Sequence, residues 1–196
     1  MNPKIINLEK LMGVDFISLI NIKDIIEKGV DEYIKQKGEK IYNMPEGNKK
    51  EIDIELFADE GYIYNQIKDI SGWLTVIAIY SRLENIRTKA LNVVFPEKPT
   101  QYFHTYNIVK TSLEHLGIPP EKIKYFKTIN RLRKYNNCFK HNNGKVNAKL
   151  SKDKRYKLGK TIKLNNSILY TFADAAGCYI RDLIKRLERF VNKHRK

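Results

Sequence analysis

The chain has 196 residues, with 37 Lys and Arg against 22 Asp and Glu, a formal net charge of +15, and 42% hydrophobic residues. That apolar share supports a buried core and excludes global disorder, and the length suits one domain better than two. Two cysteines, Cys138 and Cys178, exclude a disulfide framework and a Cys-rich metal site. The longest apolar run, Trp73 to Tyr80, is too short to span a membrane, and Met1 to Lys10 lacks the apolar core of a signal peptide. A soluble cytoplasmic protein without a membrane partner is therefore expected.

Helical periodicity dominates the pattern. Phe16, Leu19, Ile20, Ile26, Val30, Tyr33 and Ile34 space a first helix over 15–36. Residues 37–50, with Gly38, Pro45 and Gly47, read as a loop. Ile52, Ile54 and Leu56 alternate with acids, which predicts a short strand over 51–56. Residues 1–60 thus read as an N-terminal helix and extended connector, and residues 61–196 as a helical bundle. A second helix over 64–92 carries Trp73, Val76, Ile77, Tyr80, Leu83, Ile86 and Ala90 on its apolar side. Glu84 lies at the edge of that side, as a boundary carboxylate bonded to a neighbouring helix would.

Pro96 and Pro99 mark a connector, and a third helix over 103–116 stops at Gly117. Pro119 and Pro120 open a fourth, over 121–141, which ends at Asn142-Asn143-Gly144. Tyr156, Leu158, Ile162 and Leu164 alternate about Gly159 and Lys160, the pattern of a β-hairpin over 155–164. Ser167 is placed to cap a last helix over 168–194, whose stripe is Phe172, Ala176, Tyr179, Leu183, Leu187 and Phe190. The fold class is mainly α: an antiparallel helical bundle with a small β-hairpin appendage.

The charge is not spread evenly. Residues 1–60 hold 9 basic and 13 acidic side chains, whereas residues 121–163 hold 15 basic and 2 acidic, a net +13. A field so one-sided attracts polyanions, and counterion release makes binding to nucleic acid strong and salt-dependent. Lys134, Lys140, Lys145, Lys152, Lys154, Arg155 and Lys157 are the candidate phosphate contacts, with Tyr156 placed to stack on a base. A solvated basic face kept for solubility is the plainer reading of the same run.

Within this stretch, Arg133, Asn137, Lys140 and His141 fall on one polar arc of the fourth helix at about 100° per residue. Arginine and lysine can hold phosphate, histidine titrates near neutral pH, and Asn137 can orient an imidazole or bond a ribose hydroxyl. A histidine closing a helix also serves simply as a partner for the helix dipole. Cys138, on the same helix, reads as a small half-buried residue rather than a nucleophile. His104, His115 and His194 have no ligand partners at metal-binding spacing, so neither a metal nor any other cofactor is expected.

The run Arg133-x-x-x-Asn137-x-x-Lys140-His141-Asn142-Asn143-Gly144 resembles the signature ending a core helix in HEPN domains. These are helical bundles found in prokaryotic toxins, phage-defence proteins and RNA-processing enzymes. Ser81-x-x-Glu84 resembles a second, weaker feature of the same family, and the likeness covers residues 64–194. The resemblance implies a metal-independent endoribonuclease of toxin or phage-defence type, acting on RNA as a homodimer. In it His141 would act as general acid or base and Arg133 would stabilise charge on the phosphate. Asn137 would complete the catalytic group, with Ser81 and Glu84 in support. Here seven residues separate Arg133 from His141, where the family usually has four to six. The same resemblance also fits an inactive module that binds nucleic acid, or one whose basic face docks an antitoxin or other acidic protein.

Overall fold

A computed structural model describes residues 3–13 and 15–194, apart from the Thr100 side chain. The elements are helices: α1 (Pro3–Glu9), α2 (Ser18–Tyr42), α3 (Asn48–Val94), α4 (Tyr106–His115), α5 (Phe126–His141) and α6 (Asn166–Lys193). Short 3₁₀ turns occupy Thr100–His104 and Pro120–Lys122. None of these helices is long and apolar enough to cross a membrane.

The longest helix, α3, organises the rest. No proline interrupts residues 48–94, and its two glycines weaken a helix without stopping it. Its second half buries Val76, Ile79, Tyr80, Leu83, Ile86, Ala90 and Leu91 at helical spacing. That stripe packs on α5 and α6, where Leu132, Tyr135 and Phe139 meet Phe172, Ala176, Tyr179, Leu183 and Leu187. Leu8 of α1 is fully buried against the same core. The first half of α3 is different, burying no side chain before Ser71. It runs antiparallel to α2, tied by Lys37 to Glu60, by Lys68 to Asp31 and by the edge-on ring pair Tyr33–Tyr64 at 5.7 Å.

Several sequence expectations are corrected. The strand over 51–56 is helix, because its three-residue alternation is a short sample of a longer pattern that recurs every three to four residues through Leu74. The expected loop over 37–50 shrinks to Asn43–Gly47, since α2 continues through Gly38 to Tyr42. Gly38 is used for closeness: a Cβ there would lie 3.7 Å from the Phe57 ring. The boundary placed at residue 60 falls inside α3, which runs unbroken through it.

The third helix is split, a 3₁₀ turn over Thr100–His104 being followed by α4. Gly117 ends α4 with φ +71°, and Ile118 N donates back to Leu113 O at 2.9 Å, the bond pattern that favours glycine at that place. The fourth helix begins late, at Phe126, because Tyr125 adopts φ +61° and breaks the chain away from the Pro120–Lys122 turn.

The β-hairpin is not formed. Val146 N donates to Lys160 O, Gly159 N to Val146 O and Ile162 N to Gly144 O, so residues 159–162 pair with 144–146 rather than with 155–158. A single antiparallel bridge, Lys145 with Thr161, results. Burial explains the choice: Val146 and Ile162 enter the core together, whereas Leu158 stays exposed. The cap of α6 is Asn165, whose Oδ1 accepts from Ile168 N at 2.9 Å, while Ser167 lies inside the helix.

Candidate nucleic-acid interface

Helix α5 carries both a core stripe and a basic side. Ile129, Leu132, Tyr135, Asn136, Cys138 and Phe139 are buried, which fixes its rotation against α3 and α6. The polar residues are then distributed by the 3.6-residue turn rather than gathered at one point.

Arg133 is half-buried and already engaged. Its guanidinium carbon lies 3.7 Å from the centroid of the Tyr106 ring, and Nη2 donates to Asn130 Oδ1 at 2.9 Å. Its Nε is buried without a hydrogen-bond partner. It also belongs to the charged surroundings of Tyr80, a phenol pushed well above its ordinary pKa, chiefly by burial. Asn137 follows one turn later and is half-buried, and His141 and Lys140 are exposed at the end of the helix. Eight residues of α-helix separate Arg133 from His141 by about 12 Å along the axis. Within one chain, therefore, the expected arginine–histidine pair is not brought together.

The turn after α5 is packed tightly. Asn143 and Gly144 both have positive φ, and Asn142 Nδ2 donates to Lys145 O at 2.7 Å. The Trp73 ring of α3 stacks on Phe139 at 5.6 Å, and a Cβ on Gly144 would come within 2.7 Å of Trp73 Cζ2. His141 thus sits beside the turn where α5 meets the middle of α3.

A cleft of about 240 Å³ opens instead on the flank of α5, lined by Lys127, Asn130, Arg131, Lys134, Asp153 and Arg155 among others. Arg155 Nε donates to Asp153 Oδ1 at 2.9 Å while Nη2 holds Oδ2. These bonds draw the Asp153 carboxyl down to about 2. The acid is thereby matched by one arginine. Arg131 lies over the Phe172 ring at 5.4 Å, with its Nε buried and without a hydrogen bond. A second concavity of about 450 Å³ shares Arg155 and adds Lys157, Lys160 and Lys163. Lys145, Lys152, Lys154 and Lys157 are all exposed, and of these Lys157 lines the second opening.

Lys127 and Arg131 were missed by sequence reasoning, although Lys127, Arg131 and Lys134 recur at i, i+4 and i+7, the signal of a common helix flank. Tyr156 is not free to stack on a base. It is half-buried, its ring is edge-on to Tyr135 at 5.7 Å, and the two hydroxyls are 2.6 Å apart. Tyr125 is the exposed aromatic at this end, turned outward by its positive φ.

Ser81 and Glu84 face a separate concavity of about 220 Å³ with Asn85, Lys89 and His104. The ion partner of Glu84 is Arg87 on its own helix, Oε1 to Nη2 3.7 Å, rather than a neighbouring helix. Arg87 is buried and leaves Nε and Nη2 without hydrogen bonds. Cys138 is fully buried, and burial pushes its thiol up, away from nucleophilic character. Among the described residues no three His, Cys, Asp or Glu side chains are grouped to hold a metal ion. A concavity of about 520 Å³ between Phe95, Tyr102, Phe103, Ile108 and His115 shares no lining residue with the clefts above. Compared with known proteins, the chain matches no family model, no curated protein and no solved structure.

Proposed function

We propose that this chain is an RNA-acting protein of HEPN-like kind, an antiparallel helical bundle of the cytoplasm that cuts RNA without a metal ion in a toxin or phage-defence role. The observation that carries the reading is the basic flank of α5. Two concavities share Arg155; Lys127, Arg131 and Lys134 line one and Lys157, Lys160 and Lys163 the other, with the acid at the cleft, Asp153, ion-paired to Arg155. Such a surface holds a phosphate backbone by charge.

In the proposed reaction His141 takes the proton of a ribose 2′-hydroxyl, and that oxygen attacks the adjacent phosphorus. The bond to the 5′-oxygen breaks, and that oxygen takes a proton from solvent water, to which His141 returns the one it accepted. The products are a 2′,3′-cyclic phosphate and a 5′-hydroxyl. Arg133, stacked on Tyr106, is two turns away from His141 of its own chain. The reading therefore relies on a second copy to bring a cation to the attacked phosphate, with Asn137 between the two positions.

The second reading is a module that binds RNA, or an acidic protein such as an antitoxin, without cutting. The engagement of Arg133 by Tyr106 and Asn130 is what favours it. One experiment separates the readings. The purified protein is incubated with RNA in EDTA, and binding is followed against salt in parallel. Cleavage leaving cyclic phosphate ends, abolished in His141→Ala with RNA affinity kept, is the expected result. Replacing Lys152, Lys154, Arg155 and Lys157 by Ala should weaken binding and flatten the salt dependence by about 0.7 per lost contact. Cleavage undiminished in His141→Ala would overturn the catalytic assignment, whereas salt-dependent binding without cleavage establishes the second reading.

A further inference from the structure

The outward face of the α2–α3 hairpin carries an apolar stripe. Between the two helices lie Lys37, Glu60, Tyr64, Lys68 and Asp31, a set of ion pairs and hydroxyls. Outside, Ile52, Leu56, Ile63, Ile67, Ile70 and Leu74 of α3 are 37–56% exposed. At 100° per residue these six fall within an arc of about 60°, over about 33 Å of helix. On α2, Ile22, Ile26 and Tyr33 are likewise exposed.

The ties between the helices set α2 residue n near α3 residue 97 − n, as in Tyr33 with Tyr64 and Lys37 with Glu60. Ile22, Ile26 and Tyr33 are therefore level with Leu74, Ile70 and Ile63. On each helix the exposed stripe precedes the inward face by about a quarter turn. In an antiparallel pair this puts both stripes on the same side, so they form one continuous apolar surface.

Four of the six α3 positions also reflect onto one another. Positions 56 and 74, and 63 and 67, are equidistant from residue 65, the symmetry an antiparallel contact between identical helices requires. Charge agrees. Residues 61–67, around that point, carry none, and every charged residue from Glu51 to Asp69 reflects onto an uncharged one. Like charges would otherwise be forced together at a twofold axis. Nine exposed side chains of roughly 80–100 Å² each supply close to the ~800 Å² that one partner gives to a standard stable interface.

We propose that a second copy of this chain docks here, α3 against α3 antiparallel about residue 65, so that two hairpins close into a four-helix assembly. The inference rests on the hairpin alone and is independent of RNA binding or cleavage. Because this interface holds the two α5 ends about 24 Å apart along the helix axis, the second copy invoked for cleavage meets this chain at another face.

Sedimentation of the full chain over a concentration series tests it. The wild type should sediment as a dimer. Ile63→Glu with Ile67→Glu should give a monomer of unchanged far-ultraviolet helicity, and Ile54→Glu, on the opposite side of α3, should remain dimeric. A wild type that stays monomeric at every concentration, or a dimer that survives the double substitution, overturns the proposal. So does a monomer that instead binds phosphatidylcholine vesicles through this face. RNA affinity of the Ile63/Ile67 variant is read separately at low salt. Loss of the dimer with RNA binding kept supports the proposal. A dimer without RNA binding also supports it, and overturns the RNA reading alone.

Discussion

Gly144 meets two demands at once. Its φ of +71° favours glycine, and the space where a Cβ would stand is filled by the Trp73 ring. Gly144→Ala should therefore lose about 2–4 kcal/mol, from a strained backbone together with a forced shift of Trp73 or of the turn. Urea unfolding followed by circular dichroism measures the loss. A change below about 0.5 kcal/mol, the range of ordinary surface substitutions, would show that the turn is not held as described. The Asn-Asn-Gly stop was legible in the sequence because turn chemistry is local. The contact with Trp73 was not, since it depends on which turn of α3 lies opposite. The same distinction separates His141, readable as the end of a helix, from Arg133, whose stacking on Tyr106 joins residues from two helices. The polar arc drawn on α5 was correct as angle and misleading as distance, because residues sharing an arc can still lie two turns apart.

Element by element, helices were legible where an apolar stripe meets a core. The stripe of α6 enters the core largely as its spacing foretells, and the second half of α3 does the same. Misreading set in where no core constrains the pattern: residues 51–56 look like a strand for three alternations, and their true partner stripe lies further along α3. The end of α6 offers a test of local reasoning. Asn165, not Ser167, accepts the bond from Ile168 N, so Asn165→Ala should cost about 1 kcal/mol. Ser167→Ala should change stability by no more than a few tenths. Thermal unfolding of the two variants decides between the positions, and equal small effects would remove the cap. The missed hairpin has a similar cause. Alternation alone leaves the partner open, and residues 159–162 pair with the turn after α5 because that buries Val146 and Ile162.

For the whole molecule, burial is unequal along one continuous helix. From Ser71 onward α3 lies in the core, and before it no side chain is buried. In the monomeric Ile63→Glu/Ile67→Glu variant, backbone amides over 50–68 should exchange with deuterium faster than those over 79–91, because local opening follows the number of buried contacts. Uniform protection along the helix would contradict this division. Charge divides the same chain differently, with residues 1–60 net acidic and residues 121–163 strongly basic. The position of Trp73 joins the two divisions. Its ring stacks on Phe139, so the end of α5 is fastened to α3 eight residues beyond position 65. If two copies meet about that position, their Trp73 residues stand about 24 Å apart along the helix axis. If the basic flank holds RNA as proposed, each copy would bring one, making the pair bivalent toward a single strand. The second contact would then benefit from a high effective concentration fixed by a rigid spacer. Affinity for a long RNA would exceed affinity for a short one without any additional contact on either copy.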